Sequence, residues 1–216
     1  MTGPPSCPSE LRFGALLAYS PDGQAEASVD SRGVVRAIKD GRQEHIERVA
    51  LRARESFDSG AFHEFFGDDV TLVPLPRSVP FKQKDALWPA MRICRALEAR
   101  GLCRNVQPLL VRTRPVPKSA LQRSAGSRPD PRTHAETLAA KDDTGVLRAR
   151  ICLVDDVVTR GSTLLGAAWC LRRVWPTASV VGFAAVRTMS KQEIRTILDP
   201  VEGWIRGDAD WVRREP

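Results

Sequence analysis

Apolar and polar positions alternate along this chain in blocks of strand-like and helix-like period. Leu11 to Tyr19 is an almost unbroken apolar run, with the length and composition of a strand buried on both faces, and Pro21-Asp22-Gly23 follows it as a turn. Val34 to Lys39 fits strand and helix equally. Glu44 to Arg54 places apolar residues three and four apart and predicts an amphipathic helix. Asp69 to Leu75 predicts a strand, Asp85 to Arg100 a helix stopped by Gly101, and Val106 to Arg112 a further strand. Ile151 to Val154 is a short, β-branched buried strand, and Leu164 to Trp175 is a helix with Leu164, Ala168, Leu171 and Trp175 along one stripe. Val180 to Val186 then predicts the strand that closes the sheet. This alternation points to the α/β class, a mainly parallel β-sheet flanked by helices on both faces.

The chain has 216 residues, enough for one α/β domain with a substantial core. Residues 1–10 form a polar, Pro-rich tail without a signal-peptide core, 11–190 carry the alternating pattern, and 191–216 form a C-terminal extension. Between 114 and 148 the composition turns to Pro, Ser, Arg, Gly and Asp with little apolar period, which predicts a structureless segment serving as a lid or an insertion.

Charge and cysteine usage narrow the setting. The formal charge is +7, which suits an anionic substrate and also loose contact with nucleic acid. Arg48, Arg52 and Arg54 read first as a solvated helix face. Five cysteines, at 7, 94, 103, 152 and 170, form no CxxC pair, so a zinc ribbon or disulfide framework is not expected. Cys152 and Cys170 fall on a buried strand and a helix, as reduced thiols of a cytoplasmic protein would. No apolar stretch reaches membrane-spanning length.

Chemistry concentrates between Ile151 and Thr163. Asp155 and Asp156 sit at the carboxyl end of the apolar strand, where two adjacent carboxylates are costly unless a ribose diol or a hydrated Mg2+ meets them. Thr159, Arg160, Gly161, Ser162 and Thr163 follow at once and open a helix. Such a loop offers backbone N–H groups, hydroxyls and the positive end of the helix dipole to a phosphate.

Four apolar residues, two acids, two apolar residues and a Thr/Gly-rich loop resemble the diphosphate-ribose signature of type I phosphoribosyltransferases. The resemblance implies that fold, with a mobile loop at about 114–148 and a small hood, which Trp204 and Trp211 beside Asp208 and Asp210 could form. Packing of those tryptophans on the core in a terminal helix or loop is the plainer alternative. It implies 5-phosphoribosyl 1-diphosphate as substrate with Mg2+ as cofactor, Asp155 and Asp156 toward the ribose hydroxyls and indirectly toward the metal, and Thr159 to Thr163 on the 5-phosphate. Val73-Pro74-Leu75-Pro76-Arg77 and the Arg-x-Ile-Lys-x-Gly run at Arg36 to Gly41 are similar to the ComF-like branch. There the former segment occupies the diphosphate loop, which brings Pro74, Leu75, Pro76 and Arg77 to the leaving group. Arg112, Arg114, Lys118 and Arg128 are further candidate diphosphate contacts, since a polyanionic leaving group needs charge-assisted donors. His134 is a candidate lid residue. The cysteines common at ComF N-termini are missing.

Transfer of the phosphoribosyl group to a nitrogenous base or amine, with release of diphosphate, is therefore the expected activity. Thr159 stands where hypoxanthine-guanine enzymes commonly place an Asp, which disfavours an oxopurine acceptor. The rival is a non-catalytic sensor of 5-phosphoribosyl 1-diphosphate, or a DNA-processing accessory protein, that meets nucleic acid or a protein partner through its basic surface; a homodimer is compatible with either. There is no GxxxxGK[ST], no GxGxxG after a strand, no HExxH and no GxSxG. Of the three histidines, His45 is expected to face solvent and His63 to pack near Phe62, Phe65 and Phe66.

Overall fold

The computed structural model describes residues 6–80, 87–116, 129–141 and 150–215. Its elements, in chain order, are β1 (Glu10–Tyr19), α1 (Glu26–Lys39), α2 (Gln43–Asp58), β2 (Gly67–Pro74), α3 (Pro89–Ala99), β3 (Cys103–Val106), β4 (Leu110–Arg112), α4 (Pro131–Glu136), β5 (Leu138–Ala140), β6 (Arg150–Val158), α5 (Ser162–Val174), β7 (Ser179–Thr188), β8 (Leu198–Gly207) and β9 (Val212–Glu215). The main sheet has seven strands in the order β3-β2-β6-β7-β1-β8-β9. From β3 through β1 every pairing is parallel, whereas β8 and β9 join antiparallel. The α/β class with a mostly parallel, helix-flanked sheet is thus present.

Two cores sandwich the sheet. On one face Val35 and Ile38 of α1, Ile46 and Val49 of α2 and Ile93 and Leu97 of α3 meet Leu72, Cys152, Val154 and Phe183. On the other, Leu164, Leu165, Ala168 and Leu171 of α5 meet Phe13, Val73, Leu153 and Ile205. The central strands contribute to both, which is why their sequences read as continuous apolar runs rather than alternating ones. All five cysteines are free thiols, four of them buried, and burial pushes Cys103 up to about 12.

Several expectations are corrected. Val34 to Lys39, open between strand and helix in the sequence, is helical and belongs to α1. Val106 to Arg112 is two strands in different sheets: Gln107 N–H still donates to Leu72 O of β2, Pro108 has no N–H, and β4 resumes in a separate two-stranded sheet with β5. Val180 to Val186, in β7, is not at the closing edge but between β6 and β1. Within 114–148 the described part carries α4 and β5. Asp130 caps α4 by accepting from Thr133 N–H at 2.7 Å and Pro131 occupies its first turn, so ordinary helix-start chemistry orders this stretch. The C-terminal segment supplies the last two strands of the main sheet; Trp204 lies on β8 under the guanidinium groups of Arg12 and Arg206, and Trp211 is exposed. His63 is exposed and stacks on Phe57, with ring centroids 4.5 Å apart, while His45 is half-buried. Arg48, Arg52 and Arg54 are paired with Glu44, Glu55 and Asp58 along α2. Among the described residues no helix is long and apolar enough to cross a membrane.

Candidate functional site

The neighbours β2 and β6 send their following helices, α3 and α5, to opposite faces of the sheet. Where the chain diverges in this way, a crevice opens beyond the carboxyl ends of the strands. Here it is a cleft of about 410 Å³. Leu75 to Ser78 after β2 form one wall and Asp155 to Leu164, from the end of β6 through the loop to the start of α5, the other, with Lys39, Leu87 to Ala90, Arg112 and His134 completing it.

The acid pair stands at the centre. The strand hydrogen bonding of β6 runs past it to Val158, further than the apolar run predicts. Asp156 N–H donates to Asp155 Oδ1 and Val157 N–H to Asp156 Oδ1, both at 2.9 Å. Burial first, and then the neighbouring Asp156 charge, hold the Asp155 carboxyl well above the ordinary carboxylate range, partly offset by Lys39. A carboxyl held up in this way beside a second acid is poised for a cation or a diol.

The loop that follows places Gly161 as the N-cap of α5 at φ 98°. A Cβ there would lie 2.6–2.8 Å from the side-chain carbons of Ile205 on β8. Glycine is therefore required by backbone conformation and by the packing beneath the loop, so Gly161→Val would damage the scaffold rather than report on phosphate approach. Thr159, Arg160, Ser162 and Thr163 all line the cleft beside the α5 N-terminus.

Arg112 is nearly buried. Its Nη1 donates to Thr137 Oγ1 at 2.7 Å and its Nε to Arg77 O at 3.2 Å, which ties the loop after β2 to the end of α4. Burial pushes its guanidinium down to about 10, with Asp155 acting the other way. His134 on α4 places Nε2 3.4 Å from Thr163 Oγ1, and burial followed by the Arg112 charge pushes the imidazole down to about 4, so it is neutral at physiological pH. It is fixed there because α4 lies directly on α5 at Gly166, where a Cβ would be 2.5 Å from Pro131 O.

Other predicted residues are placed differently. Pro74 is the last residue of β2, paired with Val154, and lies outside the cleft lining, whereas Leu75, Pro76 and Arg77 line it. Arg114 is exposed, donates to Glu136 O at 3.2 Å and also lies outside the lining. Lys118 and Arg128 lie outside the described residues. Lys39 and Trp88 are among the lining residues that escaped the sequence reading as site residues. Lys39 arrives from the far end of α1, and Trp88, whose Nε1–H donates to Leu75 O at 2.7 Å, arrives at the start of α3. The Arg-x-Ile-Lys-x-Gly run carried a signal for the first; nothing short of packing marked the second.

Among the described residues no cluster of three or more His, Cys, Asp or Glu side chains could hold a metal alone. Two hard carboxylates beside an anion loop fit Mg2+, which is commonly held by one or two carboxylates together with substrate phosphates. No protein-family model matches the chain, and no curated protein matches it.

Proposed function

We propose that this chain is a phosphoribosyltransferase of the type I architecture, related to the ComF-like branch, that binds 5-phosphoribosyl 1-diphosphate with Mg2+ and transfers the phosphoribosyl group to a nitrogenous base or amine. The observation that carries this reading is one cleft at the β2/β6 divergence lined by the acid pair Asp155–Asp156, the hydroxyl-rich loop Thr159–Thr163 at a helix N-terminus, and the cations Lys39, Arg77 and Arg112. Carboxylates suited to a diol, N–H groups suited to a monophosphate and cations suited to a diphosphate match the three parts of that substrate.

In this reading Asp155 and Asp156 hold the ribose 2- and 3-hydroxyls and Thr159 to Thr163 hold the 5-phosphate. Arg77, Arg112 and Lys39 face the diphosphate. Mg2+, held through the acid pair, would supply neutralising charge for the leaving group. The C1–O bond to diphosphate breaks as the acceptor nitrogen bonds to C1, and the acceptor then gives up its proton. No protein nucleophile is needed; the cleft contributes orientation and preorganised charge. Neutral His134 adds no charge beside the anion loop.

Turnover tests the assignment. Incubation with 5-phosphoribosyl 1-diphosphate, Mg2+ and a panel of bases and amines should release diphosphate only when metal and acceptor are both present, and Asp155→Asn/Asp156→Asn should abolish it. Binding without release under every acceptor would favour the sensor. Release that persists in the double variant would contradict the site.

A further inference from the structure

The C-terminal β8–β9 hairpin meets the loop Thr159–Thr163 from behind. Ile205 on β8 fills the space where a Cβ of Gly161 would lie, and its cross-strand partner on β9 is Arg214. The Arg214 guanidinium is not part of the cleft lining. Its Nε donates to Thr159 O at 3.0 Å and its Nη2 to Thr188 O at 2.7 Å at the end of β7, with Phe13 beneath it at 5.6 Å from the ring centroid. The turn of the same hairpin reaches α4: Arg132 N–H donates to Ala209 O at 2.9 Å, and the Arg132 side chain pairs with Asp210 at 3.1 Å. Since α4 carries His134 to Thr163, the first and last residues of the loop are both held by groups that lead back to the hairpin.

A peptide unit is planar and trans, so its C=O and N–H point in opposite directions. With the Thr159 carbonyl drawn back toward Arg214, the N–H of Arg160 in the same unit points the other way, away from Arg214. Released from Arg214, that carbonyl could rotate inward and set a partial negative charge where an anion must sit.

We propose that Arg214 is a positioning residue for anion binding, one that acts through the Thr159 carbonyl without touching the ligand. The inference rests on the reading of Thr159–Thr163 as the 5-phosphate loop and assigns that loop a support which no motif in it reveals. Keeping a guanidinium half-buried beside a second one is costly: burial, then the Arg187 charge, push Arg214 down to about 10. An apolar residue at this place would spare that cost, and the two carbonyl bonds are what the arginine supplies in return.

Calorimetric titration of the full chain with ribose 5-phosphate, and separately with inorganic diphosphate and Mg2+, tests this in wild type, Arg214→Met and Arg214→Lys. Arg214→Met should weaken ribose 5-phosphate about tenfold, or about 1.4 kcal/mol, and leave diphosphate within about twofold; Arg214→Lys, which keeps the charge and one donor nitrogen in place of two, should recover part of the loss. If Arg214→Met does not fold, Arg214→Lys alone must show the selective weakening, by about threefold. Unchanged ribose 5-phosphate affinity in the variants, or equal weakening of both ligands, overturns the inference while leaving the loop reading in place. A wild type that does not bind ribose 5-phosphate overturns the loop reading itself, and the inference with it.

Discussion

At the scale of single residues, His134 combines burial, an adjacent arginine and a hydroxyl at its Nε2, and its imidazole is pushed from 6.5 down to about 4. A histidine depressed by folding costs nothing above its unfolded value and costs progressively more below it, because the unfolded chain takes up a proton that the folded chain refuses. Stability linked to His134 is therefore complete above about pH 6.5 and is lost as pH falls toward 4, by about 3 kcal/mol at most. Chemical denaturation at pH 7 and pH 5 should show the wild type losing about 2 kcal/mol more than His134→Gln; equal losses would mean that the ring is not shielded. The acid pair and the hydroxyl loop were legible in the sequence because their chemistry is local, residue beside residue. The environment of His134 was not, since it depends on α4 lying on α5, twenty-nine positions away from Thr163. Gly161 was legible as part of the hydroxyl loop, but Ile205, which excludes a Cβ there, comes from the last part of the chain and was not.

At the scale of elements, the contact between α4 and α5 does more for the site than the short length of α4 suggests. Gly166 lets the two helices approach until a Cβ would stand 2.5 Å from Pro131 O and 2.7 Å from the His134 Cβ. Gly166→Ala must push α4 outward, taking with it His134 and the Thr137 hydroxyl that holds Arg112. Thermal unfolding should reveal a loss of about 1–3 kcal/mol, since overpacking at a backbone contact outweighs the gain in helix propensity, and an unchanged midpoint would show the contact to be soft. The strands that pack on both faces, β1, β2, β6 and β7, announced themselves by apolar runs. β8 did not, because its positions are mostly exposed or half-exposed and carry Asp199, Glu202 and Arg206. Its pairing with β1 supplies what local pattern lacks. The break at Gln107-Pro108 was readable from proline chemistry, yet the apolar residues on either side outweighed it in the reading of one strand.

At the scale of the whole molecule, the parallel sheet fixes where a ligand can sit, and both walls of the cleft come from segments that leave β2 and β6 in opposite directions. The order of strands, with β7 inside and a C-terminal hairpin extending the sheet, could not be read from element types alone, because pairing partners lie far apart in sequence. The net charge of +7 places an anionic ligand in a favourable field without choosing among anions; that choice is made by the acid pair, which only a ligand bearing hydroxyls or a metal ion can approach at low cost. Calorimetric titration with 5-phosphoribosyl 1-diphosphate in the presence and absence of Mg2+, for the wild type and Asp155→Asn/Asp156→Asn, tests this most directly. The cleft predicts a saturable, Mg2+-dependent heat with one ligand per chain in the wild type and its loss in the double variant. A wild type that gives no heat, or a double variant that binds as the wild type does, would contradict the assignment of this cleft to the ribose diphosphate.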